Sequence, residues 1–350
     1  MKKIPIAILG ATGAVGQRMV QLLAGHPWFE IVALTGSERT IGRPYGELVR
    51  WVLDGTPPAD IARMVVQPSD TPLDVALALS ALPTEIATEV EPRWAAQVAV
   101  CSNASSYRMA SDVPLIVPEV NPDHVALIEA QRTRRGWRGC LVTNPNCSAI
   151  GIAMALRPLH DAFGLQKAQI ATLQALSGAG YPGVSSLDII DNIIPNIANG
   201  GEEAKIEAEP RKLLGTLLPE TIADADFAIS AQVTRVPVVD GHTALMSLGF
   251  KRRPAPEEAI GVLEAFRAPE VVRNLPSAPA QPLVVHTAAD RPQPRRDRDA
   301  GNGMSTSIGR VRSCPLLDLR LVVLSHNTIR GAAGGAILNA ELLIAAGVVS

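Results

Sequence analysis

Several features that would place a chain quickly are missing from this one, and each absence narrows the reading. No uninterrupted apolar stretch reaches the ~18 residues a membrane-spanning helix requires. The first apolar run, Ile4 to Leu9, stops at Gly10 and is too short for a secretory signal core, so it reads as a first β-strand. Net charge is nearly absent: 32 Lys and Arg face 34 Asp and Glu, a formal balance of -2, which removes any electrostatic reason to expect nucleic acid or an anionic membrane as partner. Cysteine is scarce. Cys101, Cys140, Cys147 and Cys314 form no CxxC pair and do not alternate with histidine, which argues against zinc and for a reducing cytoplasm. No internal repeat is found. What remains is a chain of 350 residues, 47% hydrophobic and 19% charged, a globular balance at a length beyond the usual single core. Two domains acting on a small soluble substrate are the expectation.

The first third alternates short β-branched runs with helical patterns: Ile4 to Leu9, a helix from Gly13 to Ala24, Ile31 to Leu34, Val75 to Leu79, a helix from Thr84 to Ala96, then Val98 to Cys101. This alternation predicts an α/β unit with a Rossmann-type, doubly wound parallel sheet. From Cys147 the pattern changes. One helix, Ser148 to His160, precedes longer strand-like runs at Gln169 to Leu176, Phe227 to Val239, Thr243 to Lys251 and Leu316 to Leu324, which predict an α+β unit with a mixed sheet. The Ala- and Leu-rich segment Gly331 to Gly347 has helical spacing and can return to pack on the first domain. Arg291-Pro-Gln-Pro-Arg-Arg-Asp-Arg-Asp299 is dense in charge and proline and reads as a solvated loop.

Gly10-Ala-Thr-Gly13-Ala-Val-Gly16 follows a strand and opens an apolar helix. Its backbone N–H groups and the helix dipole converge where a pyrophosphate could sit, so Gly10, Thr12, Gly13, Ala14, Val15 and Gly16 are expected cofactor contacts. The GxxGxxG spacing departs from GxGxxG, and only the flanking strand and helix give the motif weight. At the end of the second strand the signals divide: Glu38 suits the 2′-hydroxyl of NAD, whereas Ser37, Arg39 and Thr40 suit a 2′-phosphate. NADP is the expected cofactor, with NAD tolerated.

Cys147, in Thr143-Asn-Pro-Asn-Cys147-Ser-Ala-Ile150, ends an apolar strand and begins an amphipathic helix. At that position the helix dipole is expected to lower the thiol pKa, and free N–H groups can hold an oxyanion. An acyl-transfer nucleophile also needs a base. His26, His160 and His286 have no chemical company, whereas His242 lies in a turn seven residues after Arg235. Position alone leaves both the cysteine and the histidine open to structural readings, as it does the Glu202/Lys205 pair, whose i, i+3 spacing also fits a surface helix.

Taken together, these blocks resemble the aspartate-semialdehyde dehydrogenase family over nearly the whole chain. The glycine loop, Ser102-Asn-Ala-Ser-Ser-Tyr-Arg108, Asn144-Pro-Asn146-Cys147-Ser, Gln174-Ala-Leu-Ser-Gly178-Ala-Gly-Tyr-Pro-Gly183, Glu202-Glu-Ala-Lys205 and Arg235-Val-Pro-Val-Val-Asp-Gly-His242 stand in the family's order. The resemblance implies that Cys147 attacks the carbonyl and His242 accepts a proton, with Asn146 and Gln174 polarising or orienting. It implies that Arg235 grips the substrate carboxylate bidentately, Glu202 pairs with the α-ammonium, and Arg108 and Lys205 hold phosphate. Ser80, Ala81, Leu82, Ser177, Gly178 and Asn327 would line the cofactor, and Gly331 would lie near the nicotinamide.

The wording of the blocks, including Ser325-His-Asn327-Thr-Ile-Arg-Gly-Ala-Ala-Gly334, is most similar to the archaeal and fungal branch. By that likeness the chain would interconvert L-aspartyl 4-phosphate and L-aspartate 4-semialdehyde through a thioester on Cys147, toward lysine, methionine and threonine. It would divide into an NADP-binding domain (1–146 with a C-terminal helix at 330–350) and a catalytic and dimerisation domain (147–329), assembled as a homodimer or homotetramer. Malonyl-CoA reductase shares the chemistry and is the nearest alternative. N-acetylglutamyl-phosphate reductase should lack the Glu202/Lys205 and Arg235/His242 pairs, and a non-catalytic NADP-sensing protein would be expected to lose Cys147 or His242.

Overall fold

Strand and helix alternate through the first 143 residues of a computed structural model that describes residues 3–349; Met1, Lys2 and Ser350, at the ends of the expected first domain, lie outside the described residues. Six strands, β1 (Ile4–Leu9), β2 (Phe29–Gly36), β3 (Gln67–Pro68), β4 (Leu77–Ser80), β5 (Ala99–Ser102) and β6 (Cys140–Thr143), form a sheet of order β3-β2-β1-β4-β5-β6. Every pairing in it is parallel. Such a sheet is covered on both faces, which is why β4, β5 and β6 are buried at every position rather than at alternate ones. The strand order reverses between β1 and β4, and the crevice beyond their carboxyl ends is where α/β sheets bind ligands.

The second sheet uses β7 (Leu165–Gln174), β8 (Ile194–Pro195), β11 (Ala228–Arg235), β12 (His242–Phe250), β13 (Leu283–His286), β14 (Thr306–Ser313) and β15 (Leu319–Ser325), in the order β13-β14-β15-β12-β7-β11-β8; β9 (Thr216–Leu217) and β10 (Ile222–Ala223) pair separately. It is mixed: β7 and β11 run parallel, while β12 is antiparallel to both β7 and β15. One face packs on the helix Cys147–Phe163, whose Ile152, Leu156 and Leu159 share a core with Ile170, Val233, Met246 and Leu321. The other face carries Gln169, Gln232, Leu245, Ser247 and Arg320 around a shallow cavity. Leu245 is 43% exposed there.

The C-terminal helix Gly334–Ala345 returns to the first sheet, where Ile337 and Leu338 join Ile6, Leu77 and Leu79 in one core. Ten of its residues are buried, the polar Asn339 and Glu341 among them, so it is covered around its whole circumference rather than along one stripe.

The segment Arg291–Asp299 is not the solvated loop that its composition predicts. Asp297 is buried, paired with Arg291 and accepting the Gln293 N–H at 2.6 Å. A carboxylate so paired can be buried at tolerable cost, and charge density alone does not reveal the pairing. The segment wedges against β14, where a methyl group at Gly309 would stand 2.3 Å from the Arg291 carbonyl oxygen, and Pro294 packs on Gly241 just before His242. β14 itself escapes the alternation rule because its register slips between Gly309 and Arg312 and Arg310 takes φ +56°.

Candidate active site

The glycine loop leaves the carboxyl end of β1 beside the carboxyl end of β4. Gly10 has φ +75°, and a methyl group there would stand 2.9 Å from the Ala81 carbonyl oxygen; at Gly16 it would meet the Gly10 oxygen at 2.4 Å. Only glycine therefore lets the turn, the β4 exit Ser80-Ala81-Leu82 and the helix Ala14–Leu23 approach this closely. That helix receives no side-chain cap from Gly13, so its first-turn N–H groups remain available for the phosphates of a dinucleotide. Thr12, Ala14 and Val15 belong to the same turn. Ser37 and Arg39 are exposed just past β2, in a turn closed by the Thr40 hydroxyl donating to the Ser37 carbonyl at 2.8 Å. These residues fit NADP: a phosphate cradle at the switch point, and the exposed hydroxyl of Ser37 and cation of Arg39 at the ribose end.

Asn146 is the N-cap of the helix that begins at Cys147. Its side-chain oxygen accepts from the Ser148 and Ala149 N–H groups at 2.9 and 3.4 Å. Its amide nitrogen donates to Glu202 at 2.8 Å, so Asn146 holds the helix end rather than standing free to polarise a carbonyl. Across Cys147 lies Gly331, where a methyl group would stand 2.8 Å from the Cys147 Cβ. Gly331 belongs to a π-helical turn, Ile329–Ala333, tied down by a fully buried ion pair in which Arg330 donates to Glu119 at 2.5 Å. The expected lowering of the thiol pKa is reversed here. Burial, reinforced by the Glu202 charge, pushes it up to about 12, against opposing pulls from Arg108 and Arg235. The resting sulfur is a neutral thiol.

His242 and Arg235 converge as expected: a methyl group at Gly178 would stand 2.9 Å from Arg235 Nη1 and 3.0 Å from His242 Nε2. His242 and Cys147 line one small cavity together with Thr172 and Ser325. The Ala175 N–H donates to His242 Nδ1 at 3.0 Å, so the neutral ring carries its proton on Nε2, which is buried without a partner. Burial, with Arg235 beside it, lowers the ring pKa to about 3. His242 thus presents a donor to the site, not the free lone pair that a proton acceptor needs. Arg235 spends one donor on the Ala175 carbonyl at 2.8 Å. Gln174, at the end of β7, is buried and donates to Thr172 at 3.4 Å. The Ser177 hydroxyl accepts from Asn327 at 2.7 Å, and Asn327 in turn accepts from the Gly241 N–H at 2.8 Å, which joins the expected cofactor-side residues to the His242 turn.

The helix Gly201–Leu213 supplies the charges. Glu202 accepts from Lys205 at 2.8 Å and from Asn146, and its side chain is only 12% exposed, so the pair is no surface salt bridge. Burial works against its ionisation, but the Lys205 contact prevails and holds the carboxyl below its usual range. Arg108 donates to the Asn103 carbonyl at 2.6 Å and keeps a buried Nε without a partner, a free donor for an anion. Two further residues of this helix reach the site: Glu209 pairs with Arg108 at 3.0 Å, and Lys212 donates to three carbonyls of the Arg108 loop at 2.7 to 2.8 Å. Sequence reading missed both, although 202, 205, 209 and 212 repeat at helical spacing on one face and would have revealed them. No sequence signal linked Arg330 to Glu119.

The arrangement is a thiol at a helix N-terminus flanked by an imidazole donor, two arginines, a carboxylate and a dinucleotide cradle, which suits acyl transfer coupled to hydride transfer. Family models describing the semialdehyde dehydrogenase NAD-binding domain and dimerisation domain match residues 5–128 and 156–330. An aspartate-semialdehyde dehydrogenase of Archaeoglobus fulgidus is 51% identical over 342 residues, 97% of each chain. A malonyl CoA reductase (NADP) of Metallosphaera sedula is 40% identical over 355 residues, 99% of each. The crystal structure of aspartate semialdehyde dehydrogenase with NADP from Candida albicans superimposes with a TM-score of 0.91 at 40% identity, covering 99% of this chain and all of that one.

Proposed function

Because this chain belongs to the aspartate-semialdehyde dehydrogenase family, we propose that the site just described carries out the reductive dephosphorylation of L-aspartyl 4-phosphate to L-aspartate 4-semialdehyde with NADP as cofactor. The reaction is reversible and feeds amino-acid biosynthesis. The observation that carries the assignment to residues is Glu202, a carboxylate held ionised and bonded to the residue before Cys147, where it can receive an α-ammonium. Arg235, with a planar fork facing the same space, takes the α-carboxylate. Arg108 and Lys205 take the phosphate, and Gln174 orients the reacting carbon. In the first step the Cys147 sulfur bonds to the acyl carbon and the C–O bond to phosphate breaks. His242 offers no lone pair, so the thiol proton leaves on the departing phosphate oxygen while the Nε2 hydrogen supports the carbonyl oxygen as it becomes negative. NADPH supplies the hydride that turns the thioester into aldehyde. Collapse of the resulting oxyanion returns the sulfur as thiolate, which takes a proton from water.

We further place residues 1–146 with the helix at 330–350 in the cofactor-binding unit and 147–329 in the catalytic unit. The open sheet face around Leu245 and Arg320 suits a homodimer contact, and the three buried, unpaired thiols Cys101, Cys140 and Cys314 suit the cytoplasm. Among the described residues no helix is long and apolar enough to cross a membrane.

The test pits two substrates against one variant. Wild type should oxidise aspartate semialdehyde in the presence of phosphate and NADP, and Glu202→Gln should raise KM for the semialdehyde at least tenfold while NADP affinity stays in place and alkylation of Cys147 shifts to lower pH, because the Glu202 charge raises the thiol pKa. Malonyl-CoA has no α-ammonium. Efficient malonyl-CoA reduction by wild type, together with unchanged semialdehyde kinetics in Glu202→Gln, would replace this reading by a coenzyme A thioester one.

A further inference from the structure

Two parts of the site have separate tasks, the guanidinium of Arg108 and the sulfur of Cys147, and a single buried side chain touches the supports of both. Glu209 is 1% exposed. One carboxylate oxygen accepts from Arg108 Nη1 at 3.0 Å; the other accepts the backbone N–H of Asn146, the residue preceding Cys147, at 2.5 Å. Pairing with Arg108 alone would meet the need of a buried carboxylate for a countercharge. The second bond makes the carboxylate a bridge.

The rest of the helix face reinforces this bridge. Glu202, two turns earlier, holds the side-chain amide of the same Asn146 at 2.8 Å, so two carboxylates seven residues apart grip its side chain and its backbone. Lys212, one turn later and 4% exposed, donates to the carbonyls of Arg108, Ala110 and Val113, fixing the backbone that carries Arg108. One rigid helix therefore sets where the guanidinium lies relative to the amide end of the nucleophile helix. Geometry at that scale matters, because a misplacement of about 1 Å can cost roughly 100-fold in rate.

We propose that Glu209 is a positioning residue for the reaction, holding the phosphate-binding cation Arg108 and the N-cap amide of the Cys147 helix in one register so that phosphate and sulfur meet at the same carbon. This rests on the reading of Arg108 as a phosphate ligand. The Glu209 charge also raises the Cys147 pKa while Arg108 lowers it, so a change at Glu209 has a signature at the sulfur that a purely structural residue would lack.

The experiment uses the full chain with aspartate semialdehyde, NADP and inorganic phosphate. Glu209→Gln keeps the shape but removes the charge; Glu209→Asp keeps the charge but is one methylene too short to span both partners. Both should lose at least tenfold in phosphate-dependent kcat while NADP affinity stays within about twofold of wild type. Alkylation of Cys147 should shift to lower pH in Glu209→Gln and stay in place in Glu209→Asp. If kcat, the phosphate KM and the alkylation profile all match wild type in both variants, or if the only change in either is a lower melting temperature, the positioning role is wrong. Failure of both variants to fold likewise counts against it, since the bridge would then be a stability element. Arg108→Lys separates the two ideas: an unchanged phosphate KM there removes the phosphate reading itself, whatever Glu209 does.

Discussion

Replacing His242 by glutamine and by alanine distinguishes a hydrogen-bond donor from a general base. In the resting site the Ala175 N–H occupies Nδ1 at 3.0 Å, and the ring is 4% exposed. Burial, with Arg235 beside it, lowers the ring pKa to about 3, and a charged ring would also have to turn a second N–H against that amide. At neutral pH only the Nε2 hydrogen faces the site. A glutamine amide nitrogen reaches about as far as Nε2 and donates, but accepts no proton at working pH. Loss of one donor to a developing oxyanion costs about 100- to 1,000-fold in kcat, roughly 2.7–4 kcal/mol. We therefore expect His242→Ala to fall by about that factor and His242→Gln to stay within about tenfold of wild type. Steady-state kcat for semialdehyde oxidation checks this, with NADP binding as the control for folding. Glutamine as slow as alanine would refute the reasoning. So would an acidic limb near pH 6–7 in wild-type kcat/KM that disappears in His242→Gln, because it would mean that the imidazole titrates and works as a base.

Cys147→Ser should bind NADP as wild type does but lose several orders of magnitude in turnover; more than about a tenth of wild-type kcat remaining would exclude covalent catalysis at this position. Alkylation of Cys147 in the absence of substrate and NADP should rise about tenfold per pH unit from pH 6 to 10, because the half-buried thiol stays protonated up to about 12, and a plateau at or below pH 8 would show that the helix dipole outweighs burial. Arg39→Ala should weaken NADP binding, measured by titration, by the roughly 1.5–3 kcal/mol of a charge-assisted bond to the 2′-phosphate, with little effect on NAD. Equal losses for the two cofactors would make Arg39 a structural residue.

Local pattern alone determined a good deal of this protein. The helix expected from Gly13 to Ala24 spans Ala14–Leu23, and that expected from Thr84 to Ala96 spans Thr84–Ala95, because apolar spacing and glycine punctuation are written in adjacent residues. The strands β7, β11, β12 and β15 overlap the four expected runs for the same reason. The candidate site residues stood out through motif order, which follows the chain. What only the tertiary structure decided depends on partners far apart in sequence. Arg330 meets Glu119 across 211 residues, and Glu209 meets Asn146 across 63. Asp297 turned a charged segment expected in solvent into a wedge against β14. The protonation states of the site belong to the same class. A helix N-terminus argues for a thiolate at Cys147, and a histidine beside it argues for a base. Burial outweighed the first, and a backbone N–H 67 residues from His242 fixed the tautomer that denies the second. Solvation and hydrogen-bond satisfaction are properties of the packed surroundings, so no local stretch of sequence can state them.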